Sequence, residues 1–213
     1  MAKNISQHIH GNVNPYEGLV LENSDEQGWS STGGCFDEIF EKIKPKTVIE
    51  VGTWKGASAL NMARLGIKHG ISREEFEIVC VDTFLGSHEH LTFMCSFQPG
   101  NGSRRHGRPT IYEIFLSNVI RNEFTDIITP FPIDSYNGGV ALQSWKIEAD
   151  LIYIDGGHDF ELAKNDFILY APLLRNGGYI LIDDWHHQPI REAAQDVFGD
   201  KVFDLHGKGA WIK

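Results

Sequence analysis

Residues 46–63 read KTVIEVGTWKGASALNMA, and this stretch decides the fold of the chain. A β-branched run breaks at Gly52, Gly56 follows four residues later, and an apolar, helix-favouring segment opens at Ser58. The pattern predicts a strand, a glycine turn and a helix, because glycine suits tight turns and lets the backbone approach a ligand closely. The Gly-x-x-x-Gly spacing differs from the Gly-x-Gly-x-x-Gly of dinucleotide-binding turns.

Two carboxylates flank this turn. Glu50 lies at the end of the predicted strand, where it would repel a pyrophosphate but would suit a cationic or amine-bearing ligand. Asp82 ends the next predicted strand, where a carboxylate can accept both ribose hydroxyls of an adenosine group. An aspartate at a strand end can also cap the turn that follows it. The combination favours S-adenosylmethionine over NAD as the ligand.

Length, charge and cysteine content narrow the class of protein. The 213 residues suit one domain with a well-buried core, and a net charge of −10 argues against nucleic acid as the main partner. We expect no membrane partner, since no apolar run approaches the ~20 residues of a membrane span and the N-terminus has no signal-peptide pattern. Three cysteines without metal-type spacing indicate a reducing cytoplasm.

Strand and helix patterns alternate along the chain. The predicted strands are 47–51, 77–82, 149–155 and 178–183, with a weaker strand at 126–131 and a hairpin at 201–205 and 209–213. The predicted helices are 35–43, 57–69, 110–122, 159–173 and 189–197. Apolar strands separated by helices predict an α/β fold with a parallel sheet that binds ligands at the carboxyl ends of its strands. Residues 1–30 are expected to form an N-terminal arm with little regular structure, and residues 31–213 the domain.

Acidic side chains follow two of these strands. Asp155 ends one strand, and Asp183 and Asp184 end another, so the three carboxylates should lie close together. Carboxylates repel one another unless something positive lies between them, and oxygen ligands of this kind suit Mg²⁺, Ca²⁺ or Mn²⁺. His158 lies three residues past Asp155 and carries the side chain most often used as a general base. Helix capping explains one aspartate per strand end, but not the whole set.

Four blocks of the sequence resemble class I S-adenosylmethionine-dependent methyltransferases. More narrowly, they are similar to the small metal-dependent O-methyltransferases that include macrolide-sugar and cephalosporin-pathway methyltransferase-like proteins. The blocks are residues 48–58, 81–86, 154–160 and 173–184. The resemblance implies a doubly wound Rossmann-like sheet of about seven strands, with the last strand antiparallel and helices on both faces.

The resemblance also implies roles for single residues. The glycine turn would hold the methionine part of the cofactor, Asp82 the ribose, and the segment at Asp134 the adenine. The implied cofactor-binding residues are Glu50, Gly52, Thr53, Gly56, Ser58, Asp82, Thr83, Asp134, Ser135 and Asp155. The implied metal ligands are Asp155, Asp183 and Asp184, and the implied catalytic residues are His158 and Asp155.

These observations together predict methyl transfer from S-adenosylmethionine to a hydroxyl of a small molecule, such as a sugar or a natural-product intermediate. A divalent metal, with Mg²⁺ expected, would fix and acidify the acceptor oxygen. Two alternatives stay open: a non-catalytic S-adenosylmethionine-binding protein, and another metal-dependent enzyme such as a hydroxylase or hydrolase. Assembly into a homo-oligomer also stays open.

Residues 84–109 form a long stretch that the patterns leave irregular, and we expect a substrate lid there. Arg104, Arg105 and Arg108 could hold an anionic group of the acceptor, although a surface loop without a role is the plain alternative. The histidines of this stretch, with His186 and His187 after the acidic pair, match no known ligand spacing. We therefore expect solvated side chains there rather than a transition-metal site.

Overall fold

The computed structural model describes residues 5–29, 31–87, 90 and 104–213. The strands in these ranges are β1 Thr47–Val51, β2 Glu77–Asp82, β3 Arg104–Arg105, β4 Arg108–Pro109, β5 Ile128–Pro132, β6 Ala149–Ile154, β7 Leu174–Ile182, β8 Phe203–Leu205 and β9 Lys208–Ile212. Seven of them form one sheet in the order β5-β2-β1-β6-β7-β9-β8, while β3 and β4 pair with each other. The first five strands of that order are parallel, and β9 runs antiparallel to both of its neighbours.

Helices connect the parallel strands and cover both faces of the sheet. The helices described in full are α1 Ile5–His10, α2 Gly34–Ile43, α3 Ala57–Lys68, α4 Ile111–Arg121, α5 Ser135–Ser144, α6 Phe160–Tyr170 and α7 Gln188–Phe198. Short 3₁₀ turns follow α6 at Ala171–Leu173 and α7 at Gly199–Lys201. Within the described residues, no helix is both long enough and apolar enough to cross a membrane.

The side chains of each strand alternate between two hydrophobic cores. On β1, Val48 joins the core beneath α2, α3 and α4, whereas Ile49 and Val51 join the core beneath α5, α6 and α7. A strand that buries both faces has no polar side, which explains why the apolar runs in the sequence are continuous. The predicted doubly wound α/β fold, with the last strand antiparallel, is confirmed.

Helix α5 is the largest departure from the predicted elements. Gly138 and Gly139 lie in its middle, and glycine disfavours helix interiors, so the sequence pattern does not predict a helix there. A Cβ at Gly138 would lie 2.7 Å from Val81, and a Cβ at Gly139 would lie 2.5 Å from the Leu169 side chain. Close packing against β2 and α6 therefore overrides the low helix propensity.

The N-terminal arm contains more structure than the sequence predicts. Helix α1 buries Ile5, and the backbone N–H of Ser6 donates to the Glu77 carboxylate at 2.9 Å. The His8 ring stacks on Trp145 with centroids 5.3 Å apart. Residues 11–29 contain no helix or strand, in agreement with the prediction.

The predicted lid at 84–109 is described only in part. Residues 88, 89 and 91–103 lie outside the described residues, while β3 and β4 form a hairpin at its end. Arg105 forms a salt bridge with Glu22 of the arm, and Arg108 lies 3.7 Å from Glu113. Two of the three arginines expected to hold an anionic substrate group therefore have carboxylate neighbours within the protein.

Candidate active site

The glycine turn connects β1 to α3 at the carboxyl edge of the sheet. Gly52 has φ of 84°, and a Cβ there would lie 1.9 Å from the carbonyl oxygen of Asp155. Gly56 has φ of 88°, and its Cβ would lie 2.8 Å from the Phe115 ring. The turn therefore needs both glycines for its own packing against the end of β6 and against α4, whereas the sequence pattern assigned them to the approach of a ligand.

Glu50 lies behind this turn and does not reach the surface. It is 0% exposed, and its two carboxylate oxygens face the Ser58 hydroxyl, which donates to one, and the Cys80 thiol, 3.6 Å from the other. Burial raises the pKa of Glu50 to about 7, although hydrogen bonds from Ser58 and Cys80 lower it. Glu50 thus fixes the start of α3, and its carboxylate is not exposed for the direct contact with a cationic ligand that the sequence suggested.

Asp82 holds the same turn through backbone hydrogen bonds. Its Oδ2 accepts the N–H groups of Thr53 and Trp54, both at 2.8 Å, and its Oδ1 accepts the N–H of Phe84 at 2.7 Å. Burial raises the pKa of Asp82, and these three hydrogen bonds act against that increase. A carboxylate accepts about four hydrogen bonds in all, so Asp82 has room for one ribose hydroxyl rather than both.

The other residues assigned to the cofactor lie on the same edge of the sheet. Thr83 is exposed beside Asp82. Asp134 caps α5, since its side chain accepts the backbone N–H of Asn137 at 2.9 Å. A hydrogen bond from the Asn137 side chain, at 2.7 Å, and this backbone hydrogen bond lower the pKa of Asp134. The carbonyl of Ser135 accepts the Tyr170 hydroxyl at 2.8 Å. Capping accounts for Asp134, so its assignment to adenine depends on the sequence resemblance alone.

The three strand-end carboxylates line one small cavity, and a lysine supplies the positive charge among them. The Lys208 ammonium forms a salt bridge with Asp183 Oδ1. The Tyr153 hydroxyl donates to Asp183 Oδ2 at 2.8 Å and lies 3.2 Å from Asp155 Oδ2. Burial and the nearby charge of Asp183 raise the pKa of Asp155.

Asp155, His158 and Asp184 form a group whose ligand atoms all lie within 4.8 Å of one another. His158 Nε2 is 3.2 Å from Asp184 Oδ2. Asp183 is absent from every such group in the described part of the chain, and its oxygens contact Lys208 and Tyr153 instead. The geometry therefore brings His158, and not Asp183, together with Asp155 and Asp184.

Asp184 also belongs to a second group, with His186 and His187, that meets the same 4.8 Å limit. The sequence favoured solvated histidines there, and both side chains are indeed exposed, although the fold brings them together. His187 is the residue before the first turn of α7, where the positive end of the helix dipole disfavours a cation. The group around Asp155 lies deeper in the cavity and suits a bound ion better.

Sequence reasoning missed Lys208 and Tyr153. Lys208 follows Gly207 in the predicted hairpin, a position that reads as an exposed turn, and lysine is rarely buried. The one available signal is that Lys208 lies two residues before Ala210, so both point to the same face of β9. Tyr153 reads as one more apolar residue of a buried strand, and nothing in the sequence marks its hydroxyl as a bridge.

Asn118, in α4, is a further residue that the sequence does not mark. It is fully buried, and its Nδ2 donates to the carbonyls of Asp25 at 2.8 Å and Lys55 at 3.0 Å, while its Oδ1 accepts the N–H of Asp25 at 3.2 Å. The Lys55 ammonium lies 2.6 Å from the Asp25 carboxylate, and the Trp54 indole donates to Gln27 at 3.0 Å. The arm is thereby fastened to the outside of the glycine turn.

The protein family described as "Methyltransferase domain" matches residues 49–185, a range that includes both the glycine turn and the acidic strand ends. The chain belongs to this family. A curated relative of this methyltransferase chain, the uncharacterized protein R132 of Acanthamoeba polyphaga mimivirus, is 26% identical over 140 residues, which cover 65% of the chain and 51% of the relative. The chain thus spans about half the length of that relative.

Solved structures with the same fold include several O-methyltransferases. An O-methyltransferase from Bacillus cereus, solved in complex with S-adenosylhomocysteine, has a TM-score of 0.59 at 15% identity and covers 88% of this chain and 83% of its own. The O-methyltransferase TomG from Streptomyces achromogenes, involved in tomaymycin synthesis, was solved in complex with S-adenosylmethionine. Its TM-score is 0.60 at 12% identity, and the match covers 89% of this chain and 82% of TomG. CalS11, a TDP-rhamnose 3'-O-methyltransferase, has a TM-score of 0.56 at 15% identity, and the match covers 83% of this chain and 76% of CalS11. At these identities the likeness establishes the fold.

Proposed function

We propose that this methyltransferase moves a methyl group from S-adenosylmethionine to a hydroxyl of a small molecule. The observation that carries the proposal is the family match over residues 49–185, which joins the glycine turn to the group of Asp155, His158 and Asp184 on one edge of the sheet. The turn would bind the cofactor and the acidic edge would bind the acceptor. Both lie at the carboxyl ends of parallel strands, where α/β sheets bind their ligands.

The cofactor would lie against the glycine turn. Backbone groups of residues 52–56 would face its methionine part, and Asp82 would accept one ribose hydroxyl with the remaining capacity of Oδ1. Glu50 and Ser58 would act from behind by holding the turn in shape. Two neighbours of the same fold were solved with S-adenosylhomocysteine or S-adenosylmethionine bound, which supports this ligand.

His158 is the proposed general base. The acceptor oxygen would attack the methyl carbon in line with the sulfonium, so that the new O–C bond forms while the C–S bond breaks and its electron pair stays on sulfur. The hydroxyl proton would pass to the His158 imidazole, and Asp184, 3.2 Å away, would stabilise the imidazolium that results. Holding the two reactants in this geometry would supply much of the acceleration.

A divalent cation fits the carboxylates of Asp155 and Asp184, whose oxygens come from the ends of neighbouring strands and lie within 4.8 Å of each other. When bound, such an ion lowers the pKa of an acceptor hydroxyl and orients its oxygen. A hard ion such as Mg²⁺ takes oxygen ligands, so the His158 imidazole stays available for the proton. A softer ion such as Zn²⁺ would compete for that nitrogen.

The acceptor that we favour is a sugar or natural-product hydroxyl. This choice is supported by two neighbours of the same fold, the TDP-rhamnose 3'-O-methyltransferase and the enzyme of tomaymycin synthesis. The net charge of −10 makes a nucleic-acid acceptor unsuitable. Cys35 and Cys80 are buried free thiols, in keeping with the reducing cytoplasm that we propose as the location.

The test combines calorimetry with transfer of a labelled methyl group to a panel of nucleotide sugars and phenolic compounds. The wild-type protein should bind S-adenosylhomocysteine, and His158→Ala should keep that affinity while methyl transfer falls about 10²- to 10⁴-fold. His69→Ala is the matched control, because the His69 imidazole also lies 2.8 Å from a carboxylate, that of Asp37, but at the end of α3 away from the glycine turn. Binding without transfer to any acceptor would favour the non-catalytic alternative, and no binding at all would exclude the proposal.

A further inference from the structure

Lys208 is almost completely buried at the start of β9. It is 4% exposed, and its salt-bridge partner Asp183 is 9% exposed. The Lys208 ammonium also lies 3.2 Å from the Tyr153 hydroxyl and 5.1 Å from the centre of the Tyr153 ring. A charged ammonium stays this deep only when it is paired, so Lys208 and Asp183 form a fixed pair inside the acidic cluster.

This pair leaves Asp183 poorly suited to hold a metal. Its Oδ1 takes the salt bridge and its Oδ2 takes the Tyr153 hydroxyl at 2.8 Å. A cation that approached Asp183 would also meet the positive charge of Lys208, and two positive charges repel strongly in a buried site. Asp184, the next residue in the chain, points to a different partner, the His158 imidazole at 3.2 Å.

Tyr153 connects the pair to Asp155. Its hydroxyl lies between the Asp183 and Asp155 carboxylates, at 2.8 and 3.2 Å. Its ring is fully buried and packs edge-on against Phe36, with centroids 5.1 Å apart, so the hydroxyl is held at a fixed place. The position of Asp155 is thus tied, through Tyr153 and Asp183, to the Lys208 ammonium.

We propose that the buried Lys208 ammonium keeps Asp183 from binding a metal ion. Through Asp183 and Tyr153, it also fixes the position of the Asp155 carboxylate. The inference rests on the proposed metal-assisted methyl transfer and adds a statement about ligands: Asp155 and Asp184 hold the ion, whereas Asp183 and Lys208 are positioning residues. A purely structural salt bridge would stabilise the protein without changing its metal affinity, so metal affinity separates the two explanations.

The experiment measures the binding of Mn²⁺ and of Mg²⁺ to the metal-free full chain, by calorimetry and by the electron paramagnetic resonance of Mn²⁺. The double variant Asp183→Asn/Lys208→Met removes the pair without leaving a buried charge unpaired and should leave the dissociation constant within about threefold of wild type, while Asp184→Asn should weaken binding more than about tenfold. Asparagine is chosen at 184 because it tolerates the left-handed backbone there, φ 49°. Lys208→Met frees the Asp183 carboxylate and should tighten binding about tenfold, and Lys201→Met, at an exposed lysine, is the matched control.

Each result bears on the proposal. Equal losses in the double variant and in Asp184→Asn would overturn it, and so would unchanged affinity in Lys208→Met. If the wild-type chain binds neither ion, a gain of binding in Lys208→Met supports the proposal and no gain overturns it. If Lys208→Met does not fold, the comparison of Asp184→Asn with the double variant, which leaves no buried charge unpaired, decides. A parallel titration with S-adenosylhomocysteine tests the proposed cofactor separately, since its binding does not depend on which carboxylates hold the metal.

Discussion

Glu50 lies at the end of β1 with its carboxylate enclosed by Ser58 and Cys80, and burial raises its pKa from the ordinary 4.5 to about 7. Below pH 4.5 the folded and unfolded chains both carry the proton. Between pH 4.5 and 7 the unfolded chain releases it while the folded chain keeps it, so the free energy of unfolding falls as the pH rises. Above pH 7 both states are ionised, and the loss is complete.

We therefore expect Glu50→Gln to remove this part of the pH dependence. The free energy of unfolding of the variant, relative to wild type, should rise by about 3 kcal/mol between pH 4.5 and 7.5, because each unit of pKa shift corresponds to about 1.36 kcal/mol. Urea unfolding of both proteins without cofactor, at half-unit pH intervals, measures the difference. A difference that stays constant across this range would show that Glu50 is ionised in the folded protein throughout.

At the scale of the element, the glycine turn combines a left-handed backbone with an absence of space. Gly52 and Gly70 have nearly the same φ, 84° and 78°, but only Gly52 faces an obstacle, the Asp155 carbonyl 1.9 Å from a Cβ position. Nothing lies within 4 Å of the corresponding position at Gly70. Substitutions at these two glycines therefore distinguish the cost of a strained backbone from the cost of steric overlap.

Gly70→Ala should cost about 1–2 kcal/mol of stability, the cost of a left-handed non-glycine residue. Gly52→Ala should cost more than about 4 kcal/mol or prevent folding, because β1 and β6 would have to move apart. Thermal and urea unfolding of the two variants provide the measurement. Similar losses in both would mean that the turn at Gly52 adjusts, and that its glycine is free to serve a ligand instead.

The elements differ in how far the sequence predicts them. Strands β1, β2 and β6 can be recognised in the sequence because each contains a short apolar run that is buried on both faces of the sheet. Helix α5 cannot be recognised in this way, because its two central glycines disfavour a helix. These glycines are needed to make room for Val81 and Leu169, which lie more than 25 residues away in each direction. Local propensity predicts the elements whose packing agrees with it and fails where a tertiary contact decides.

At the scale of the whole molecule, the arm and the glycine turn meet through Asn118. The buried Asn118 side chain satisfies backbone groups of both Asp25 and Lys55, 93 and 63 residues away. Asn118→Ala would leave these groups without a partner in the interior, and we expect a loss of about 2–4 kcal/mol in stability with weaker cofactor binding. Urea unfolding and calorimetry with S-adenosylhomocysteine measure the two effects.

Asn122→Ala is the control for this prediction. Asn122 lies one turn further along, is partly exposed, and donates to the Glu26 side chain of the same arm at 2.8 Å, so its loss should cost less than about 1 kcal/mol. A glutamate-specific protease should also cut the arm faster in Asn118→Ala, at Glu17, Glu22 or Glu26. Equal cleavage rates in the wild type and in both variants would contradict the role of Asn118 as the fastening point.

The site as a whole was only partly predictable. The sequence places Asp155, His158 and Asp184 together because strand ends of a parallel sheet share one edge. It cannot place Lys208 there, since that requires knowing that β9 enters the sheet beside β7 and not at its margin. Likewise, the pairing of Asp183 with Lys208 rather than with a metal is a property of side-chain distances, which spacing along the chain does not contain.

The insertion of β9 between β7 and β8 also determines when the edge of β7 becomes paired during protein synthesis. A ribosome makes β7 well before β9, so the growing chain carries β7 with one edge unpaired until residues 208–212 emerge. During this interval Asp183 has been translated but its lysine partner has not. The nascent chain therefore pairs Asp183 with Lys208 only when β9 has emerged. A translation product that stops before β9 would present an unpaired strand edge, which favours aggregation, beside an aspartate without its lysine partner.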